Sequence, residues 1–467
     1  MSICLSGIHN KVVGEDLCVS IASNHPLIQL SNVLPWNEMA DLILPELQAT
    51  TAKGKWWVGR ALKLRVHMGV YLLQQLFNKT DRQIEYDVRD NAAYQLFCGS
   101  GIIDKWRCPD HTKIEEFRSR LSPEAQQKLA NYLAVLASRL GFANANKLDI
   151  DSTVQEANMA YPSDVHLLTK LSIMAKKTLS YLTKKITMLQ FQSKPITINL
   201  KEIKSKARAC FFNKSKDIEE KNKLLHELWM SVFKQISPVL KIIENLLDET
   251  DWKQMPWNVK RSTQQILQYS HQYFIDVCKF LNTGTMQAGK CLSFHLNQVA
   301  CFNKGKLGKG LQFGRAFQLG RIAGNFLIVG KCNSVRMDDK ESLQPMIKMH
   351  QELFGKSNDV STATDKGYYS KKNERFLEDE TLEASGLQKP GSPRGSPTEE
   401  ESAKQTDLVN RRAGIEPLIG HTKHGGQLGK SRMKYDRTTE SAGYCAVLGF
   451  NGRQLIRYLK GAAIFVG

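Results

Sequence analysis

The sequence predicts an α/β protein whose sheet is interrupted after its first strand by a long helical segment and is preceded by an all-helical region. Three observations predict this class. Apolar residues recur at helical spacing between residues 25 and 140, and again between about 165 and 280. Alternating stretches typical of strands lie on both sides of that second helical segment. The C-terminal residues return to helical patterns, and this order is typical of one α/β core.

The N-terminal region is predicted to be a series of helices. Thr80 and Gln83 form a capping box, which places the start of a helix there. Ser122 can cap a further helix, and Pro123 suits its first position. The helix before Thr80 is indicated by apolar residues at helical spacing: Leu62, Val66, Val70, Leu73 and Phe77. Two helices joined this closely form either a helix-turn-helix or an ordinary helical hairpin, and the pattern fits both.

The first strand is predicted in NKLDIDST, where side chains alternate between two faces. Asp149 and Asp151 fall on the same face of this strand. Further strands are predicted in CLSFHLNQVACF, GLQFGRAFQLGRI and NFLIVGKCNSV, with glycine-rich turns between them. DVSTATDKGYYS predicts a last short strand, and Asp365 follows it. The predicted sheet therefore carries acids in its first strand and at the end of its last.

The rest of the C-terminal half is predicted to be helical apart from one loop. Helical spacing is found in MDDKESLQPMIKMHQELFG, in NERFLEDETLEAS, in RRAGIEPLIGHTK and in TESAGYCAVLGFNGRQLIRYLK. Residues 386–407 are rich in Pro, Gly, Ser and Glu, a composition too polar to pack. We expect a flexible loop there.

The charge of the chain points to a polyanionic partner. The formal net charge is +19 at pH 7, and such an excess favours binding to phosphates. No Asp or Glu occurs between Val277 and Met337, whereas lysines and arginines recur there. A second basic stretch runs from Lys170 to Leu224. One such cluster is ordinarily a solvated surface, but two in one chain favour nucleic acid.

The same composition predicts a cytoplasmic protein without a membrane segment. No stretch reaches the roughly 20 apolar residues that span a bilayer, and the N-terminus lacks the apolar block of a signal peptide. The ten cysteines are scattered without a CxxC pair. This distribution suits reduced thiols better than disulfides or a zinc ribbon.

Three acids stand at the ends of predicted elements: Asp151, Asp365 and Glu416. If they converge, their mutual repulsion requires a cation to keep them charged. Oxygen ligands of this kind are those that Mg²⁺ selects. Two such ions about 3.5–4 Å apart can promote in-line cleavage or joining of a phosphodiester. Spacing alone does not separate this arrangement from ordinary surface carboxylates.

Five segments, in this order, resemble the DDE transposases of bacterial insertion sequences, in the branch with a helical N-terminal domain. The first runs from HPLIQLSNVLPWNEM through PDHTKIEEFRSRL, and the second is LDIDSTVQEANMAYPSDVHLL. KGKLGKGLQFGRAF resembles the strand that follows the helical insertion. TDKGYY resembles the segment with the second catalytic Asp, and RRAGIEPLIGHTK the segment with the catalytic Glu.

The resemblance implies a fold and a division into domains. Residues 1–140 would form a helical DNA-binding domain. Residues 141–467 would form a ribonuclease-H-like catalytic domain, with a helical insertion at about 165–280 and the loop at 386–407. In such a fold the three acids Asp151, Asp365 and Glu416 would be both catalytic residues and metal ligands.

The family signature also includes an Arg four residues before the Glu and a Lys seven residues after it. Arg412 and Lys423 occupy these positions, whereas Val409 stands where the family often has Tyr. Arg412 and Glu416 are one helical turn apart, so they share a face. The residues expected to bind DNA are Arg412, Lys423, Lys304, Lys306, Lys309, Lys430 and Arg432.

Two further acids, Asp149 and Asp164, lie close to Asp151 in the sequence. Asp149 is a rival to Asp151 as the first catalytic acid, and Asp151 is preferred because Ser152 and Thr153 follow it directly, as in the family. Asp164 matches the family's Tyr-Pro-x-Asp and is predicted to be structural.

The activity implied is cleavage at insertion-sequence ends and strand transfer into target DNA. Two Mg²⁺ ions would be the cofactors, with Mn²⁺ as a substitute. The partners would be double-stranded DNA, both inverted-repeat ends and target, and further copies of the chain, as a homodimer or higher oligomer. The location would be the bacterial cytoplasm, at the nucleoid.

Two alternative functions stay open: an inactive DNA-binding remnant or repressor of a transposon, and a ribonuclease-H-like nuclease that cleaves without joining.

Overall fold

The computed structural model describes residues 10–12, 18–49, 61–102, 106–185, 196–246, 249–285, 289–303, 310–332, 338–380, 384–387, 389 and 399–466. The chain divides into two compact units, which are described separately. Unit 1 combines Met1–Asn158 with Gln298–Gly467, and unit 2 is the intervening segment Met159–Asn297.

The N-terminal part of unit 1 is helical and begins with a small antiparallel pair of strands, β1 (Asn10–Val12) and β2 (Cys18–Ser20). The helices that follow are α1 (Pro26–Val33), α2 (Trp36–Ala49), α3 (Ala61–Leu76), α4 (Asp81–Asp90), α5 (Ala92–Phe97), α6 (His111–Arg120) and α7 (Pro123–Arg139).

The predicted starts of α4 and α7 are confirmed. Thr80 and Gln83 form the reciprocal capping box before α4. Before α7, the Ser122 hydroxyl accepts from the Ala125 N–H at 3.0 Å, and Pro123 is the first helical residue. Each cap satisfies backbone N–H groups that a helix N-terminus leaves without an intrahelical acceptor.

The sheet of unit 1 is mixed, with its longest strand near the centre. Its strands are β3 (Asn144–Glu156), β4 (Ala300–Phe302), β5 (Gln312–Ala323), β6 (Phe326–Val329), β7 (Ser361–Ala363) and β8 (Ala384–Gly386). Their order is β4-β5-β3-β7-β8. On the edge of β5 away from β3, β4 pairs with residues 312–314 and β6 pairs with residues 319–322. The strand β5 is antiparallel to β3, whereas β7 runs parallel to β3 and β8 runs parallel to β7.

The described part of unit 1 contains five more helices: α13 (Asp339–Phe354), α14 (Lys371–Asp379), α15 (Glu399–Ala413), α16 (Ile415–His424) and α17 (Asp436–Val466). The buried side chains of α3, α7 and α17 share one apolar core with those of the sheet. Asn451 in α17 links these layers, because its side chain donates to the carbonyls of Ala130 and Leu327 and accepts from the Leu327 N–H. Residues 1–140 and the sheet therefore do not form separate compact units.

Unit 2 is helical and has a core of its own. Its helices are α8 (Asp164–Lys185), α9 (Leu200–Phe212), α10 (Ile218–Leu246), α11 (Glu249–Gln254) and α12 (Trp257–Thr283). Asp164, at the start of α8, contacts Lys290 at 2.7 Å and accepts from the Tyr273 hydroxyl at 2.9 Å. These contacts agree with the structural role predicted for this acid.

Two predicted elements near the C-terminus were wrong. Residues 399–407, expected in a flexible loop, begin helix α15. Acidic residues at its start suit the positive end of the helix dipole, and Leu408 is buried. Ala384 and Ser385, expected at the end of a helix, and Gly386, expected at the start of the loop, form strand β8, because their backbone pairs with β7. Residues 388 and 390–398 of the predicted loop lie outside the described residues.

Within the described ranges, no helix is both long and apolar enough to cross a bilayer.

Candidate active site

Parallel pairing of two strands brings the first two acids level with each other. In the register of β3 and β7, Asp149 lies opposite Ala363. Continuing that register by two residues places Asp151 beside Asp365, which directly follows Thr364 at the end of β7. Adjacent strands are about 4.8 Å apart, so the two acids are neighbours. Asp365 also caps the 3-10 turn Lys366–Tyr368 by accepting from the Lys366 N–H at 2.6 Å.

The third acid is positioned by an ion cluster that anchors the corner between α15 and α16. Asp149 is 1% exposed and contacts two arginines. Its Oδ1 accepts from Arg411 Nε at 2.7 Å, and its Oδ2 accepts from Arg321 Nε at 2.8 Å. Arg411 also donates to Ser361 on β7, and Arg321 donates to the Arg411 carbonyl at 2.8 Å. The end of α15 is thereby held against β3, β5 and β7.

Glycine at position 414 allows this close approach. Gly414 lies between α15 and α16 with ordinary helical backbone angles, φ −65° and ψ −13°. A Cβ atom there would lie 1.9 Å from Nη1 of Arg321. That guanidinium is fixed by Asp149, so it cannot move away without breaking the ion cluster. The corner thus depends on a residue without a side chain.

The three predicted acids surround one guanidinium. Nη2 of Arg412 lies 3.0 Å from Oδ2 of Asp151 and 3.7 Å from Oδ2 of Asp365. Nη1 of Arg412 lies 3.4 Å from Oε1 of Glu416. Arg412 and Glu416 lie in two helices that meet at Gly414, yet they keep the one-turn spacing expected within one helix. The structure therefore brings together Asp151, Asp365, Glu416 and Arg412.

Burial and charge act against each other at Asp151. Its side chain is 16% exposed, whereas those of Asp365 and Glu416 are 56% and 61% exposed. Burial raises the pKa of Asp151 above its ordinary value, and Asp365 and Glu416 raise it further. Arg412 and the Ser152 N–H, which donates to Oδ1 at 2.8 Å, act to lower the pKa. The charge of the Asp151 carboxylate therefore depends on a nearby cation.

The donor set of this site is chemically suited to a hard divalent cation, since its three groups are carboxylates around a common point. That point is taken by the Arg412 guanidinium, itself a cation. Among the described residues, no group of three His, Cys, Asp or Glu side chains is arranged closely enough to hold a metal ion. Joint ligation by these acids would therefore require the guanidinium to withdraw.

The predicted DNA-binding residues other than Arg412 fall into two groups. Lys423 lies seven residues after Glu416 on α16, so the two share a helical face. Lys430 and Arg432 are exposed and flank Ser431, whose N–H donates to the carbonyl of Glu156 at the end of β3. The second group lies outside the described residues: Lys304, Lys306 and Lys309.

Sequence reasoning missed the residues that position the third acid. From the sequence alone, Arg411 is given no role, and Arg321 is only one of the cations between Val277 and Met337. The adjacent pair Arg411 and Arg412 carried a usable signal, because neighbouring residues near a helix end point in different directions. One side chain of the pair reaches the sheet, and the other reaches the acids.

The N-terminal part of the chain is similar to a transposase domain. Residues 16–120 match the family described as Transposase domain (DUF772). This match supports a transposase of the insertion-sequence type, and it covers the N-terminal helices rather than the acids. The chain is also 25% identical over 167 residues to a Rhizobium meliloti protein named "Uncharacterized protein ORF8 in nfe locus", covering 34% of this chain and 76% of that protein. No solved structure matches the chain.

Proposed function

We propose that this protein is a DDE transposase that cleaves DNA at the ends of an insertion sequence and joins those ends to target DNA. The observation that carries the proposal is the convergence of Asp151, Asp365 and Glu416 on Arg412. These acids come from a strand, a strand end and a helix that are far apart in sequence. The family match of residues 16–120 independently supports a transposase.

The sheet topology supports the ribonuclease-H-like core that the proposal requires. Three strands, β3, β5 and β6, are joined antiparallel, and β7 and β8 add in parallel on the other side of β3. Unit 2 is inserted between β3 and β4. The acids lie on the central strand, directly after the adjacent parallel strand, and on a helix held against this sheet.

In the proposed mechanism, Asp151, Asp365 and Glu416 would hold Mg²⁺, or Mn²⁺ in its place, as two ions. The metal would supply activation of the attacking oxygen and charge stabilisation of the leaving oxygen. Asp151 would form the buried side of the site, and the two exposed acids would face the DNA.

In this proposal Arg412 has two roles, to balance the charge of the acids and to bind DNA. Its guanidinium balances the three carboxylates in the described conformation, and it can bind a phosphate through two parallel hydrogen bonds. A DNA backbone at the site would offer such a phosphate. Lys423, on the same face of α16 as Glu416, would add a positive charge further along the DNA.

The test is cleavage and strand transfer with end-containing DNA and Mg²⁺ or Mn²⁺. The wild type should nick the ends and produce joined products, whereas Asp365→Asn and Glu416→Gln should lose both activities by at least a hundredfold, or ~3 kcal/mol of transition-state stabilisation. Matched controls are Asp359→Asn and Glu378→Gln, two exposed acids away from the site, which should retain activity.

The other outcomes separate the alternatives. Equal cleavage by the wild type and both site variants would refute the assignment of the acids. Specific end binding without cleavage by the wild type would identify a DNA-binding remnant or repressor. Cleavage without joined products would identify a nuclease on the same core.

A further inference from the structure

Unit 2 contains a cleft that the proposed active site does not use. It has a volume of about 380 Å³ and lies against α8 and α9, with the segment Leu292–His295 along one side. A pocket of this volume suits a ligand of nucleotide size and is too small for a duplex. Its lining combines apolar residues with several cationic and imidazole side chains.

The inner wall of the cleft carries a cation without a carboxylate partner. Lys170 is half-buried, and its Nζ lies 2.9 Å from Nδ1 of His295. No carboxylate contacts Lys170 in the part of unit 2 that the structure describes. Burial and the charge of Arg261 lower the pKa of Lys170. A buried cation is costly unless an anion offsets it, so this wall favours an anionic ligand.

Two more cations stand at the outer edge of the cleft. Lys204 and Arg208 are exposed, line the cleft and are one turn apart on α9. Neither forms an ion pair with a described residue. Their unit is basic as a whole, with twenty-one Lys and Arg against eleven Asp and Glu between residues 159 and 297, a net +10. The cleft can therefore attract a phosphate from outside and stabilise it inside.

Aromatic rings border the same cations. Phe211 lies on the face of α9 that carries Arg208 and is 48% exposed, and its ring centroid is 4.7 Å from that of His166. Tyr161 is 65% exposed and lines the cleft as well. Exposed rings beside unpaired cations are the combination that binds single-stranded nucleic acid, since each base can stack while its phosphate meets a positive charge.

We propose that this cleft of unit 2 binds a nucleotide of single-stranded DNA. Lys170, Lys204 and Arg208 would contact the phosphate, and Phe211 would stack on the base. The inference goes beyond the proposed function and does not depend on it, because it concerns binding alone and can be measured without metal or cleavage. Duplex DNA could not place a paired base in a cleft of this size.

The experiment measures binding of the full-length protein to fluorescently labelled oligothymidine by anisotropy, without divalent metal. Phe211→Ala should weaken binding on the order of tenfold, the loss expected for one stacked base. The matched control is Phe212→Ala, which removes the neighbouring ring that is 79% exposed and does not line the cleft. The control should bind as the wild type does.

The electrostatic part is tested by salt dependence. The double variant Lys204→Ala/Arg208→Ala should reduce the slope of log affinity against log salt by up to about 0.7 per lost phosphate contact. The control double variant Lys234→Ala/Lys241→Ala removes the same charge from exposed positions of α10 outside the cleft. Photocrosslinking with 5-iodouracil oligonucleotides should label the peptides that contain Phe211 or Tyr161.

Three results would overturn the proposal. Equal losses for Phe211→Ala and Phe212→Ala would exclude stacking in the cleft. Equal salt slopes for the cleft double variant and the control double variant would show that the DNA is attracted by general charge only. Displacement of the oligonucleotide from the cleft by an acidic peptide at lower concentration than by unlabelled oligothymidine would assign the cleft to a protein ligand. None of these results depends on cleavage, so failure of the proposed function would be recognised separately.

Discussion

Asp149 and Asp151 are two residues apart on one strand, yet their partners give them opposite roles. Asp149 is buried between Arg321 and Arg411, which fix the corner that carries Glu416. Asp151 faces Arg412 and the other two acids. The sequence placed both on one face and preferred Asp151 by resemblance. It could not show that Asp149 is committed to an ion cluster, because its partners lie more than 170 residues away.

This division predicts different effects for matched substitutions. Asp149→Asn should lower the free energy of unfolding by about 3–5 kcal/mol, because it leaves two arginines near the sheet without their counter-charge. Asp151→Asn should cost far less stability and abolish cleavage. Urea unfolding followed by circular dichroism measures the first effect, and the end-cleavage assay measures the second. A stable Asp149→Asn protein without activity would reverse the two roles.

The sign of the pH dependence gives an independent check. The folded-state pKa of Asp151 is raised above its ordinary value of 3.8. For such a group, the stabilising contribution is fully present below the unfolded pKa and is lost as the pH rises through the folded pKa. The wild type should therefore lose stability relative to Asp151→Asn as the pH rises from about 4. A difference that stays constant with pH would contradict the burial of this acid.

At the scale of elements, the corner between α15 and α16 is the feature on which the site depends. Gly414→Ala would force a Cβ against Arg321, so it should lower the free energy of unfolding by about 1–3 kcal/mol and weaken cleavage by displacing Glu416. Gly420→Ala is the control, because a Cβ at that position of α16 would meet nothing within 4 Å. It should raise stability by about 0.5–1 kcal/mol. Thermal unfolding of both variants measures the difference, and equal destabilisation would show that the corner is not closely packed.

The elements that the sequence predicted correctly are those with local signals. The capping box at Thr80 and the cap at Ser122 fixed two helix starts, since each depends on residues three positions apart. Strand β8 was missed because its three residues are strand only through pairing with β7. The start of α15 was missed because a polar, acidic segment resembles a loop, and the buried residue that follows it, Leu408, is recognised only from its packing within unit 1.

At the scale of the whole molecule, local sequence patterns could not predict which segments of the chain pack into the same compact unit. The sequence predicted a boundary near residue 140, where helices give way to a strand. In the structure, α7 and α17 pack with the sheet around one core, although more than 300 residues separate their starts. Assignment of residues 1–140 to DNA binding thus stays a prediction. The convergence of the acids was expected only through resemblance, because it requires the pairing of β3 with β7 and the position of α16.

Net charge is a property of the whole molecule that can be counted directly from the sequence. It predicts how the affinity for duplex DNA depends on salt. With a net charge of +19, the protein should bind end-containing duplex DNA with a steep salt dependence, since each neutralised phosphate contributes about 0.9 to the slope of log affinity against log salt. If Lys304, Lys306 and Lys309 each contact a phosphate, changing all three to Ala should reduce the slope by about 2.7.

The control for this prediction is a triple variant that changes Lys128, Lys340 and Lys348 to Ala, three residues that are exposed and lie outside both basic stretches. Anisotropy titrations of labelled duplex at several salt concentrations give both slopes. Equal slopes for the two triple variants would remove these three lysines from the DNA-binding surface and leave net charge alone as the source of attraction.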